Sequence, residues 1–202
     1  MARVPLEERR QQFIAAARTV IAEHGIEGAT TRRIADAAGA PLATLHYCFD
    51  SKESLLWTMW ETHLRSLGSD DVPSVAAGSG LGHAASHALR HSLERLVVDE
   101  ELAVTTTELL LWARRQDLNL GQQAFGMYFE ASVDYLRRHL EPGDPDAVVQ
   151  PLARLISAAY DGLMLQWITF HDRAQLDESV EMWAKAFELL VEHQRSAAGA
   201  TT

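Results

Sequence analysis

One cysteine, Cys48, occurs among the 202 residues, so the chain cannot close a disulfide within itself. That scarcity fits a reducing compartment. Long apolar runs are also missing, and none approaches the ~20 residues that a membrane helix requires. The opening MARVPLEERRQQF turns polar at once, without the apolar stretch of a secretory signal. These absences together point to the cytoplasm. Strand-like alternation is lacking, as are internal repeats, and the tail SAAGATT is the sole low-complexity tract. No Gly-rich phosphate loop, metal triad or Ser/His/Asp or Cys/His set can be placed, which argues against an enzyme and against a bound cofactor.

Positive charge is in short supply too: 18 Lys and Arg face 28 Asp and Glu, a net −10. The deficit is not evenly spread. Residues 1–66 hold eight basic and eight acidic side chains and balance at zero, so all ten excess negatives lie beyond. Phosphate affinity depends on local charge, and an acidic second half steers a polyanion toward the neutral first half. Apolar residues at 47% and charged residues at 23% are ordinary for a globular chain of this length, which is large enough to bury a real core.

What is present reads as helix nearly throughout, an all-α chain. Phe13, Ile14, Ala17, Val20 and Ile21 recur at three- and four-residue spacing until Gly25 supplies a stop. Thr30 or Thr31 can cap a short second helix with Ile34, Ala35 and Ala38 inward, ended by Gly39. A third helix is expected over 41–49, and a fourth, capped by Asp50 or Ser51, over 51–66. Gly, Ser, Asp and Pro gather at 66–82 and mark a hinge, after which apolar periodicity returns at 84–98, 102–114, 125–140, 147–170 and 176–191. The division expected is a head at 1–50, a linking helix at 51–66 and a helical domain at 67–202.

Two short helices joined by a Gly-containing turn make a helix-turn-helix. At 100° per residue, Leu42, Leu45 and Phe49 share the inner side of the third helix. Ala43, Thr44 and Tyr47 face out, with His46 and Cys48 on the flanks. Lys52 opens the fourth helix, where the helix dipole disfavours a cation unless an anion sits nearby. A solvated lysine at small cost is the other reading of Lys52.

With these features in order, the stretch GIEGATTRRIADAAGAPLATLHYCFDSKESLL (25–56) resembles the N-terminal domain of the tetracycline-repressor (TetR) family. The marks are Thr30, Ile34-Ala35, Ala38-Gly39, Thr44-Leu45-x-Tyr47-x-Phe49 and Ser51-Lys52-Glu53. Ala43 stands where the family often has glycine, and His46 and Cys48 where tyrosine and histidine are more usual. The resemblance implies an N-terminal three-helix DNA-binding head followed by a C-terminal helical ligand-binding and dimerisation domain. It implies Thr30, Arg32, Thr44, His46, Tyr47 and Lys52 as the DNA-facing set, with Tyr47 and Lys52 mostly on phosphates. It further implies a repressor that binds a palindromic operator as a homodimer and is released by a small-molecule effector.

For the second half, residues 147–170 are apolar on more than one face. Ala158, Ala159 and Gly162, with Val180, Trp183 and Phe187, are the expected dimer surface, monomeric core being the alternative. Family likeness puts the effector pocket between the fourth helix and the middle helices of the second domain. Trp57, Trp60, His63, Trp112, Phe125, Tyr128, Tyr160, Met164 and Trp167 are the candidates for its lining. Such a lining suits an apolar or aromatic ligand, although each residue taken singly also reads as plain core. Asp161 reads as a helix-surface charge in preference to a ligand contact. His83, His87 and His91 repeat every four residues, but no carboxylate or cysteine completes a site, so they read as a polar face and not as metal ligands. A helical enzyme or an acidic adaptor without DNA binding are the competing functions. The adaptor leaves outward Thr44, Tyr47 and Lys52 without a purpose.

Overall fold

The computed structural model of the protein describes residues 5–68, 75 and 79–199, leaving aside the side chains of 63–68, 118 and 199. Among the described residues the chain is all α, with no strand. The helices are α1 (Leu6–Gly28), α2 (Thr31–Ala37), α3 (Leu42–Cys48), α4 (Lys52–Gly68), α5 (Gly80–Val98), α6 (Glu100–Gln116), α7 (Leu118–Arg137), α8 (Val149–Phe170) and α9 (Arg173–Gly199). A single 3-10 turn, Asp146–Val148, leads into α8. Most of the expected hinge at 66–82 lies outside the described residues.

Contacts divide the chain into two compact units, Met1–Leu64 with Glu100–Phe125, and Arg65–Asp99 with Gly126–Thr202. This cut differs from the division at 51–66 read from the sequence, because α6 belongs with the head. It packs along α1. Glu101 accepts from the Thr19 hydroxyl at 3.3 Å, and Glu108 accepts from the Ile26 backbone N–H at 3.3 Å. Apolar periodicity over 102–114 is expected from the sequence, and Ala103, Leu109, Trp112 and Ala113 are buried there. It does not say against which helix.

In the first unit α1 buries Phe13, Ile14, Ala17, Val20, Ile21 and Ile26. The ring of Phe13 meets Phe49 edge-on at 6.5 Å between centroids, joining α1 to the end of α3. Gly25 is not the stop that the sequence suggests. It bends α1 at φ +69°, and the helix resumes to Gly28. Thr30 caps α2 as expected, its hydroxyl accepting from the Arg33 N–H at 3.2 Å. The turn into α3 needs φ +60° at Gly39, a conformation that L side chains rarely adopt. Ser51 and Ser54 cap α4 reciprocally, each hydroxyl accepting the other's backbone N–H.

In the second unit α5 packs against α8 and α9. Leu81, Leu89, Leu93, Leu96, Leu152, Leu163 and Phe187 are all buried. The closest helix approach uses Gly82, where an added Cβ would lie 2.9 Å from the Glu188 Cα. One turn on, the buried Ser86 hydroxyl sits 2.9 Å from Gly82 O and 3.0 Å from Ala184 O, so its polar atom is satisfied inside the crossing. The EPGDP break forms a turn with Gly143 at φ +98°. Asp144 ties that turn down: it accepts from Arg195 Nε at 2.6 Å and from the Glu141 N–H at 3.0 Å.

Candidate functional site

The two-helix element of the head presents a side-chain face to solvent. On α3, Leu45 and Cys48 are buried with Phe49 just beyond, while Ala43, His46 and Tyr47 are exposed, Tyr47 at 70%. Thr44 is half-buried. Two details differ from the sequence expectation. Leu42 is 37% exposed rather than inward, because it is the first residue after Pro41 and overhangs the edge of the core. Cys48 is buried rather than flanking, because Phe49 and the last turn of α3 close onto α1.

From the start of α2, Thr30 and Arg32 are exposed. Neighbouring Arg33 instead turns back, its guanidinium donating to Gly28 O. Lys52 is half-buried and donates from Nζ to Ile26 O at 2.6 Å. The lysine at the start of α4 therefore already has a partner, which offsets the unfavourable dipole that its position alone implies. Its remaining protons are available to an anion. Ile26 is held at both ends, its carbonyl by Lys52 and its N–H by Glu108.

Arg10 is a residue that sequence reasoning missed. It donates to Cys48 O and lies 4.4 Å over the Phe49 ring, placing a cation at the C-terminal end of α3. The pose of α3 thus depends on α1 through both charge and packing. No local signal marks Arg10, since its partners lie 38 and 39 residues away.

The second unit holds a cavity of about 40 Å³. Ala88 and Ser92 of α5, Ile156 of α8 and, from α7, Tyr128, Ala131, Ser132 and Tyr135 line it. Burial pushes the Tyr135 phenol up to about 12 and raises Tyr128 and Tyr160 as well, so all three are neutral hydroxyls at physiological pH. Tyr135 Oη lies 3.4 Å from His87 Nδ1, and the His87 ring stacks on His91. Burial first, then the charges of His91, His83, His139 and Arg90, lowers the His87 pKa. No group of three or more His, Cys, Asp or Glu among the described residues is placed to hold a metal.

Of the expected pocket residues, Tyr128 lines this cavity. Tyr160 is buried beside it, its ring 6.0 Å from that of Tyr128. Met164 is buried and Trp167 half-buried further along α8. Trp57, Trp60, Trp112 and Phe125 belong to the first unit. There Trp60 and Trp112 are buried, Trp57 donates to Glu61 at 3.0 Å, and Phe125 is 36% exposed. The side chain of His63 lies outside the described residues. Asp161, read from sequence as a surface charge, is half-buried.

The expected dimer residues also divide. Ala159, Val180 and Phe187 are buried within their own unit. Ala158 is exposed, while Gly162 and Trp183 are half-buried. The apolar side chains left on the outside of α8 and α9 are instead Leu155, Leu165, Phe170, Met182 and Leu189.

Comparison with known proteins bears on the head and on the whole. Residues 13–57 match the family model for bacterial regulatory proteins of the tetR family. The chain is 29% identical over 168 residues to the HTH-type nicotine-responsive transcriptional repressor HdnoR of Paenarthrobacter nicotinovorans, covering 82% of this chain and 86% of that protein. It is 46% identical over 70 residues to the HTH-type transcriptional repressor KstR2 of Rhodococcus jostii, covering 35% and 34% of the two chains. In fold it is similar to the fatty acid degradation regulator FadR of Bacillus halodurans, with a TM-score of 0.68 at 20% identity over 93% of this chain and 96% of that one. No helix among the described residues is long and apolar enough to cross a membrane. The relatives are regulators and not enzymes, and the head of this chain, residues 13–57, is similar to the TetR family of bacterial regulatory proteins.

Proposed function

We propose that the protein is a repressor that binds a palindromic operator as a homodimer and lets go when a small effector fills the second unit. The observation that carries this reading is the outward face of α3. A seven-residue helix with Leu45 and Cys48 buried and His46 and Tyr47 in solvent is built to enter a major groove. Thr30, Arg32 and Thr44 flank that face, and Lys52 supplies a cation at its edge. Tyr47 and Lys52 contact phosphates, while Thr44 and His46 lie near base edges.

Reading a palindrome requires two heads about 34–36 Å apart, hence two chains. The uncovered Leu155, Leu165, Met182 and Leu189 supply an apolar surface for a second copy, with Ala158 and Gly162 permitting close helix approach. The cavity bounded by Tyr128 and Tyr135 is the effector site, and an effector acts by favouring a conformer whose heads no longer match the groove spacing. The HdnoR relative is named as nicotine-responsive, which supports an effector-controlled repressor here.

The test is binding to DNA from upstream of the protein's own coding region, measured by fluorescence anisotropy over a salt series. Wild type should bind with strong salt dependence, and the double variant His46→Ala, Tyr47→Ala should lose that binding while keeping the mass of a dimer. Equal binding by both proteins would sink the assignment of α3.

A further inference from the structure

Several charged groups of the second unit are paired. Arg90 grips Glu181 through two hydrogen bonds, Arg173 pairs with Glu94 and Asp177, and Arg195 pairs with Asp144. Ser157 and Asp161 on α8 contrast with these pairs. The Ser157 hydroxyl is buried at 2% exposure with no hydrogen-bond partner among the described residues. Asp161, one turn further on, is half-buried, with no side-chain hydrogen bond or ion pair among the described residues. Residues four apart share a helix face, so the two form one patch.

That patch borders aromatic rings. Asp161 follows Tyr160, whose ring is 6.0 Å from that of Tyr128, and Tyr128 lines the cavity. Burial alone raises the Asp161 carboxyl, whereas Asp161 in turn raises both phenols. Arg95, on α5, acts in the opposite sense on Tyr160 and lowers it. An unmatched carboxylate in a low-dielectric setting is costly unless a cation arrives, and two tyrosine faces add the quadrupole attraction that draws cations to aromatic rings. Ser157 supplies a hydroxyl oxygen to accept one N–H.

We infer that the effector is a protonated amine carried on an apolar or aromatic body. The ammonium sits between Asp161, Ser157 and the faces of Tyr128 and Tyr160, and the body displaces into the cavity walled by Ala88, Ala131 and Ile156. The inference rests on the reading of that cavity as the effector site and specifies its charge preference, which the apolar or aromatic lining expected from sequence leaves open.

The experiment uses the whole chain and three probes that differ in charge on similar skeletons: benzylammonium, benzyl alcohol and benzoate. Calorimetric titration at neutral pH should show benzylammonium binding about tenfold more tightly than benzyl alcohol, with benzoate weakest. Asp161→Asn should erase the preference and leave benzyl alcohol within about twofold. Without any probe, Asp161→Asn should melt at a higher temperature than wild type, since it removes an unmatched charge. Benzoate binding as well as benzylammonium, or a retained preference in Asp161→Asn, overturns the inference while leaving the effector site in place. If no probe binds, or if Ala131→Trp leaves all binding unchanged, the effector-site reading falls and takes the charge preference with it.

Discussion

The two units place their polar groups in opposite ways. In the head, His46, Tyr47, Thr30 and Arg32 end in solvent while the helices beneath them bury apolar residues and satisfy their caps. In the second unit, Ser157 Oγ and Trp167 Nε1 are buried without partners among the described residues, and the Asp161 carboxylate is half-buried beside two phenols. A surface reader keeps its recognition groups hydrated until a partner displaces the water, so the free protein carries little penalty for them. An interior receptor holds unmatched groups in the folded state and recovers that cost on binding. The head is therefore robust by construction, and the second unit is the place where stability and ligand binding trade against each other.

The largest effects should come from the cores, and they test whether the contrast extends to packing. Phe13 is fully buried against Phe49 in the head, and Phe187 is 1% exposed in the second unit. Truncating either to alanine should cost about 3–5 kcal/mol, measured by urea unfolding followed through tryptophan fluorescence. Phe13→Ala should also weaken operator binding at concentrations where it remains folded, because Phe13 supports the end of α3. Equal, small losses in both variants would mean that neither core is as tightly packed as the burial indicates.

Next in size is the recognition surface. Tyr47→Ala should weaken operator binding by about 1–3 kcal/mol, yet shift unfolding by no more than about 0.5 kcal/mol, as befits a side chain 70% exposed. A large loss of stability in Tyr47→Ala would break the contrast, because the head's recognition group would then be part of its own packing. In the second unit Asp161→Asn provides the opposite signature, a gain in stability accompanied by a loss of ligand preference.

How much of this was legible beforehand follows from the same contrast. The head could be read because its short helices each have one buried side, so a period of 100° assigns Leu45, Phe49 and Tyr47 correctly. The errors fall at the helix ends, Leu42 and Cys48, where the core stops or another helix closes over. In the second unit α8 is apolar on two sides, and periodicity does not say which one faces a neighbour. Ala159, Val180 and Phe187, named as dimer candidates, are buried within the unit. The cavity left no sequence signal, since Ala88, Ser92, Ala131 and Ser132 form it by being small. Likewise Gly82 and Ser86, which carry no sequence signal of their own, mark the close crossing of α5 with α9.

A smaller effect is expected at the turn after α7. The Asp144 side chain has no solvent exposure. Burial raises its pKa, but the Arg195 hydrogen bond and charge and the Glu141 N–H outweigh that and leave it lowered. A depressed carboxyl contributes stability above its unfolded pKa of about 3.9 and loses it as pH falls through the folded value. Arg195→Met should therefore cost about 1 kcal/mol at neutral pH, Arg195 being partly exposed. The difference from wild type should shrink toward zero under acid, as urea unfolding between pH 3 and 7 would record. A constant difference across that range would place the role of Arg195 in packing rather than in charge.

The smallest effect separates two uses of Lys52, whose polar atom already has a partner within the protein. Nζ donates to Ile26 O, which positions the start of α4 against the bend of α1. If that were its whole function, Lys52→Met would lower affinity slightly and leave the salt dependence of operator binding unchanged. A phosphate contact releases about one counterion, so removing it should reduce the slope of log K against log salt by about 0.9. Binding by wild type and Lys52→Met, compared from 50 to 200 mM salt, should show that reduction together with a uniform loss of about threefold across operator sequences, the loss expected for a phosphate contact at moderate salt. An unaltered slope would make Lys52 an internal tie, and the head would then read DNA through α2 and α3 alone.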